Sequence, residues 1–211
     1  MISASAAPRG SDWVAVACLV VLVVSLTALQ RAGALSLASL ASNPREIADG
    51  RVWLLVTSGV IAADPLLWSL LSFVGLAFVT LALCGWRILW LAALAGQTFS
   101  TLVGYSLVGA ARLLYPGIFQ PLLSAPDYGV SAIAASWLGA LAALGWQKRR
   151  ENTRRASIVL GCVAAGVLAW FVRGRSLDVL DSEHLFAFVV GVAVASALLR
   201  PPHHARAADV S

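Results

Sequence analysis

Tyr128-Gly129-Val130-Ser131-Ala132-Ile133-Ala134-Ala135-Ser136-Trp137-Leu138-Gly139-Ala140 opens an apolar run that continues to Trp146. Within it, Ser131, Ala135, Gly139 and Ala143 recur at every fourth position, which on a helix is one face. Small-xxx-small faces of this kind let helix backbones approach closely in lipid, where packing holds helices together. A second run beginning Ser182-Glu183-His184-Leu185 repeats the spacing with Ala187, Gly191 and Ala195, and His184 lies about one turn above Ala187. Two such faces predict two helices in close contact, with Ser131 near the start of one and His184 near the start of the other.

Composition supplies the setting. The 211 residues are 60% hydrophobic and only 12% charged, against about 25% charged in ordinary soluble domains. That excludes a sizeable soluble domain and predicts an integral membrane protein in contact with the bilayer. The net charge of +5 could suggest nucleic acid. However, the densest basic cluster, Lys148, Arg149, Arg150, Arg154 and Arg155, is one short loop between apolar runs. It reads as a cytoplasmic loop beside anionic lipid, with no nucleic-acid partner. Cys18, Cys84 and Cys162 each fall inside an apolar run, without CxxC spacing or a Cys/His cluster. No disulfide framework, metal site or cofactor is expected.

A spanning helix needs roughly 20 mostly apolar residues. Six runs qualify: Trp13 to Leu29, Leu66 to Gly85, Ile88 to Ala111, Val130 to Trp146, Ala156 to Val172 and His184 to Leu199. The last is short unless it begins a turn earlier. The first exceeds the usual signal-peptide core of about 7–15 residues, so it reads as an uncleaved anchor. Between the first two lies Arg51-Val52-Trp53-Leu54-Leu55-Val56-Thr57-Ser58-Gly59-Val60-Ile61, apolar but too short to span. Such a segment is re-entrant, interfacial or buried against other helices. The basic 147–155 loop orients the chain with both termini in the cytoplasm. The organisation is then an N-terminal segment over 1–12, a membrane domain over 13–200 and a cytoplasmic tail over 201–211, in the cell membrane. Trp13, Trp53, Trp86 and Trp146, near run ends, suit interface anchors.

In that topology the fourth and sixth helices enter from the same side, so Ser131 and His184 lie at similar depth. A hydroxyl within reach of an imidazole is the minimal arrangement of a nucleophile and its base. Each residue alone has a plainer reading. A membrane serine commonly bonds the preceding turn of its own helix, and a lone histidine can be an interfacial residue or a tie between helices. The other two histidines, His203 and His204, fall in the tail and offer no rival base. Asp127, Asp181 and Glu183 read as solvated loop groups or as carboxylates at helix starts, where the dipole favours them. Gln97 reads as an interhelical hydrogen bond and Gln120 as solvated.

At these residues the chain resembles the rhomboid family of intramembrane serine proteases. The family carries Gly-x-Ser-Gly at the start of its fourth helix, and Gly129-Val130-Ser131-Ala132 is similar except in the last position. Gly139 stands eight residues beyond the serine, as in the family. His184, with Ala187 and Gly191 at plus three and plus seven, is similar to the histidine and two glycines of the sixth helix. Arg51-Val52-Trp53-Leu54-Leu55-Val56-Thr57-Ser58 resembles the segment leading out of the family's membrane-embedded first loop. The resemblance covers roughly residues 13–200. It implies an all-α, six-helix membrane bundle with a membrane-embedded first loop. It also implies a catalytic pair of Ser131 as nucleophile and His184 as general base and acid, and helix packing through Gly129, Ala135, Gly139, Ala187 and Gly191. The substrates would be transmembrane segments of other membrane proteins.

The chain departs from the family in three places. Active members carry a histidine and an asparagine at the start of the second helix to hold the oxyanion; residues 51–85 contain neither type. Ungapped, those positions fall near Leu67 and Leu71, which leaves Ser69, Gln97, Gln120 and backbone N–H groups around Ser131 as donors. Ala132 replaces the motif's second glycine, and Ala135 stands where an aromatic often supports the histidine ring. A second reading follows: a catalytically silent rhomboid-like protein that binds transmembrane segments, as derlin-type relatives are thought to do. A small transporter would show an internal repeat or intramembrane charges, and neither is visible.

Overall fold

The structure, a computed structural model, describes residues 8–149, 159, 161, 163 and 181–199. Its helices are α1 (Gly10–Arg31), α2 (Pro44–Ala48), α3 (Leu54–Thr57), α4 (Leu66–Cys84), α5 (Trp86–Leu114), α6 (Pro116–Phe119), α7 (Ser131–Lys148) and α8 (Asp181–Leu199). Among the described residues there is no strand, only an isolated antiparallel bridge between Ser42 and Asp127. Among the described residues, four helices, α1, α4, α5 and α8 from Ser182 onward, are long and apolar enough to cross a membrane. The expected run Ala156 to Val172 falls almost entirely outside the described residues, as does the 201–211 tail.

The sixth run does begin a turn earlier than His184, at Asp181. The fourth run became α7, which is not one of the four apolar spans, and the reason lies in its position. Around α7 pack α4, α5 and α8. Ala132, Ile133, Ala134, Ser136, Trp137, Gly139, Ala140, Leu141, Ala143, Leu144 and Gly145 are all buried. A helix enclosed by other helices gains from small residues that admit close backbones, not from large apolar side chains that face lipid.

The outer helices show the complementary pattern. In α4 the buried residues Phe73, Ala77, Thr80 and Leu81 form one face, while Leu67, Leu71 and Val79 are exposed. In α1 only Val16, Val23 and Thr27 are buried. Large apolar side chains exposed along several long helices mark a lipid-facing surface rather than a water-facing one. Trp137 anchors the interior: its ring packs at 5.1 Å on Phe73 of α4, and its Nε1 donates to the Leu89 carbonyl of α5 at 2.9 Å.

The segment too short to span forms α3 and the 3-10 turn Ser58–Val60. Leu54, Leu55, Ser58, Gly59, Ile61 and Ala62 are buried against the bundle, whereas Val52, Trp53 and Val56 are exposed. Its amphipathic character thus sends one side into the bundle and leaves the other apolar and open. Thr57 Oγ1 bonds the Leu40 carbonyl at 3.0 Å, and the Ala62 N–H bonds Thr27 Oγ1 of α1 at 2.9 Å. Gln97 of α5 completes the anchorage by donating from Nε2 to Ser58 Oγ at 3.3 Å. It is the tie between elements that its position in an apolar helix predicts.

Candidate functional site

Three segments converge at the start of α7. The chain arrives through Asp127, turns at Gly129 and enters the helix at Ser131. Gly129 has φ +143, a conformation open to glycine, and a Cβ there would meet Ala63 and the Ser131 hydroxyl. Its N–H bonds the Ser58 carbonyl at 2.9 Å. The turn is therefore pinned to the α3 segment just before it presents the serine.

Against this turn lies the first part of α8. His184 Nε2 and Ser131 Oγ are 2.8 Å apart, the only pairing expected from the sequence to carry chemistry and the one the fold makes. Both residues are half-buried. The small faces explain the approach. A Cβ added at Gly139 would fall 2.0 Å from the Phe188 carbonyl oxygen of α8, and one at Gly191 would fall 1.8 Å from the Ser136 carbonyl oxygen of α7. Backbone meets backbone at both places, and Ala187 and Ala195 are fully buried between them. Ala135 is only half-buried. The glycines do not face each other; each is lodged against the partner helix about one turn from the other.

The acidic residues depart from expectation. Glu183, expected at a solvated helix start, is 4% exposed and lies against Gly104 of α5, where a Cβ would meet its Cγ and Oε1 at 2.7 Å. Asp127 is likewise drawn inward. Its backbone pairs with Ser42 in both directions, Ser42 N–H to Asp127 O at 2.9 Å and Asp127 N–H to Ser42 O at 2.8 Å. Its carboxylate accepts from the Tyr105 hydroxyl of α5 at 2.9 Å, and Ser42 Oγ lies 2.7 Å from the same tyrosine oxygen. Among the described residues, the buried Oε1 of Glu183 has no hydrogen-bond partner. Burial raises the Asp127 carboxyl above its ordinary range, with the hydrogen bond from Tyr105 pulling the other way. Asp181 is the first residue of α8.

No family model, curated protein or solved structure matches this chain.

The site rests on its geometry alone. The remaining donors suggested by the sequence are dispersed: Gln97 is committed to Ser58, and Gln120 is exposed. Sequence reasoning missed Tyr105, Ser42 and the inward turn of Glu183. One signal was available. Ala92, Gly96, Ser100 and Gly104 repeat every fourth residue along α5 and end beside Tyr105. That stripe is a third close-packing face, and Gly96 and Gly104 receive Ser136 and Glu183 on it. Among the described residues, no cluster of three or more His, Cys, Asp or Glu side chains could hold a metal ion.

Proposed function

We propose that this chain is a divergent rhomboid-like intramembrane serine protease, acting on transmembrane segments of other membrane proteins through Ser131 and His184. The 2.8 Å contact between His184 Nε2 and Ser131 Oγ carries the reading. With the ring hydrogen on Nδ1, Nε2 accepts the serine proton as Oγ bonds to the peptide carbonyl carbon. The imidazolium then returns that proton to the leaving amine as the C–N bond breaks. Water, deprotonated by the same nitrogen, hydrolyses the acyl-enzyme. Oxyanion donors are supplied in this reading by the first amides of α7, which have no acceptor within their own helix. The positive end of the helix dipole adds to them. In the proposed topology a six-helix bundle sits in the cell membrane with both termini in the cytoplasm, following the basic 147–155 loop.

A fluorophosphonate serine probe, applied to purified protein in detergent and in liposomes, tests the proposal. Wild type is expected to label, and Ser131→Ala and His184→Ala each to lose labelling by at least about 100-fold, the scale on which catalytic groups act. Folded wild type that does not label would remove the protease reading.

A second reading has its own observation. Leu67 and Leu71, which fall where the family keeps its histidine and asparagine, are 72% and 61% exposed on the outer side of α4. With those donors replaced by outward-facing leucines, a silent rhomboid-like protein that binds transmembrane segments remains the alternative. Absent labelling combined with capture of membrane partners supports it.

A further inference from the structure

A hydrogen-bonded path runs from α5 to the turn that carries the serine. Gln97 Nε2 donates to Ser58 Oγ at 3.3 Å. The carbonyl of the same Ser58 accepts the Gly129 N–H at 2.9 Å. Gly129 stands two residues before Ser131, and a Cβ on it would lie 3.3 Å from the serine hydroxyl. Side chain and carbonyl of one residue thus join a long helix to the turn beside the nucleophile. We propose that Gln97 is a positioning residue for Ser131, setting the turn before α7 through Ser58 and so aiming the serine hydroxyl at His184. The proposal rests on the reading of Ser131 and His184 as a catalytic pair.

The surroundings fit a brace rather than plain filling of the interior. Ser58 is 0% and Gln97 6% exposed, so water does not compete for their bond. The Gln97 side chain is seated on Gly59, where a Cβ would fall 2.7 Å from its Cδ and 2.9 Å from its Cγ and Oε1. Among the described residues that Oε1 has no hydrogen-bond partner, so the donation from Nε2 is what orients the amide. Leaving a buried acceptor empty costs stability, and a methionine would fill the same space without that cost. The N–H donor is therefore the part of the side chain that the site uses. The rest of the segment has its own ties: Thr57 Oγ1 to the Leu40 carbonyl, and the Ala62 N–H to Thr27 Oγ1. Losing the Gln97 donor should thus loosen the Ser58 peptide and leave the segment folded. Gln97 acts through Ser58 and Gly129 and not on the reacting atoms.

Nitrogen-15 resonances of the His184 ring, assigned by their loss in His184→Gln, read the contact with Ser131 without any need for activity. Ser131→Ala supplies the reference shift for a ring that has lost its serine. Gln97→Met keeps the length of the side chain and removes its donor. It is expected to move the His184 Nε2 resonance towards that reference and to slow fluorophosphonate labelling by about 10-fold or more, the scale of effect that a small misplacement carries. Ser58→Ala should do the same, because its carbonyl remains while the amide loses its hold. The double variant should match either single one, since there is one bond to lose. Trp137→Phe deletes a different buried bond between α7 and α5 and serves as the control. It is expected to lower the thermal midpoint and to leave the His184 resonance where wild type has it. If wild type does not label but the resonances follow this order, the positioning role stands and the protease reading falls. A wild-type resonance in folded Gln97→Met and Ser58→Ala, or one already at the Ser131→Ala reference in wild type, would overturn the proposal. So would a shift in Trp137→Phe as large as that in Gln97→Met, which would make Gln97 an ordinary packing residue. Should Gln97→Met not fold, Ser58→Ala against Trp137→Phe decides.

Discussion

At the scale of single residues, the site is defined by where polar groups are forced to go once they leave water. Ser131 could have bonded its own preceding turn, yet its hydroxyl meets His184 instead. Asp127 had a free choice of solvent and is instead held by Tyr105 and Ser42. Its burial has a consequence for stability with a definite sign. The fold raises the Asp127 carboxyl above its unfolded value, so it favours the protonated form. The stabilisation is fully present below the ordinary carboxylate range and is lost as pH rises through the raised folded value. The groups facing it are Tyr105 from α5 and Glu183 from α8. Thermal unfolding in detergent is therefore expected to show a midpoint that falls as pH increases across that window. Asp127→Asn should flatten the dependence while leaving the midpoint at low pH close to wild type. A wild-type midpoint independent of pH there would contradict the burial of this acid.

At the scale of elements, the contact between α7 and α8 determines whether a site exists at all. Gly139 and Gly191 each lie under a carbonyl oxygen of the partner helix, at 2.0 and 1.8 Å from a hypothetical Cβ. Because the obstruction is backbone, the helices must separate to admit a methyl group. Gly191→Ala should cost about 1–3 kcal/mol, the usual scale of overpacking. It should also weaken labelling through Ser131 more than Gly75→Ala, a position with nothing within 4 Å of an added Cβ. Equal effects of the two alanines on both unfolding and labelling would refute the close approach. These glycines also mark what a sequence makes legible. The fourth-residue spacing on α7 and α8 was enough to predict their contact and the meeting of Ser131 with His184. Apolar length located α1, α4 and α5 to within three residues at each end. Two things were not legible. The interior helix could not be told from a lipid-facing one by its run alone, because enclosure by neighbours lowers the apolar content it needs. The inward turn of Glu183 was hidden because an acid at the head of an apolar run looks the same whether it caps a helix in water or packs on a glycine from another helix.

At the scale of the whole molecule, the long helices divide its connections between two ends. The bridge between Ser42 and Asp127 ties the α1–α4 connection to the segment leading into α7, at the end where α7 and α8 both begin. The other end carries the C-terminus of α7, where Arg149 lies 3.4 Å from the Trp146 ring. A guanidinium over an exposed tryptophan at a helix end suits the membrane interface, where the ring sits at headgroup depth and the cation meets anionic lipid. The structure therefore predicts a strict sidedness. In a chain with Cys18, Cys84 and Cys162 replaced by alanine, single cysteines at positions 45 and 118 should react with a membrane-impermeant maleimide from one side, and a cysteine at 149 only from the other. Because short basic loops are retained in the cytoplasm, intact cells should label positions 45 and 118, and position 149 only after permeabilisation. The reverse pattern would keep the fold and invert the membrane orientation, placing the Ser131 site on the cytoplasmic side. Labelling of all three positions from one side would refute the division of the bundle into two ends, and with it a site at one membrane face.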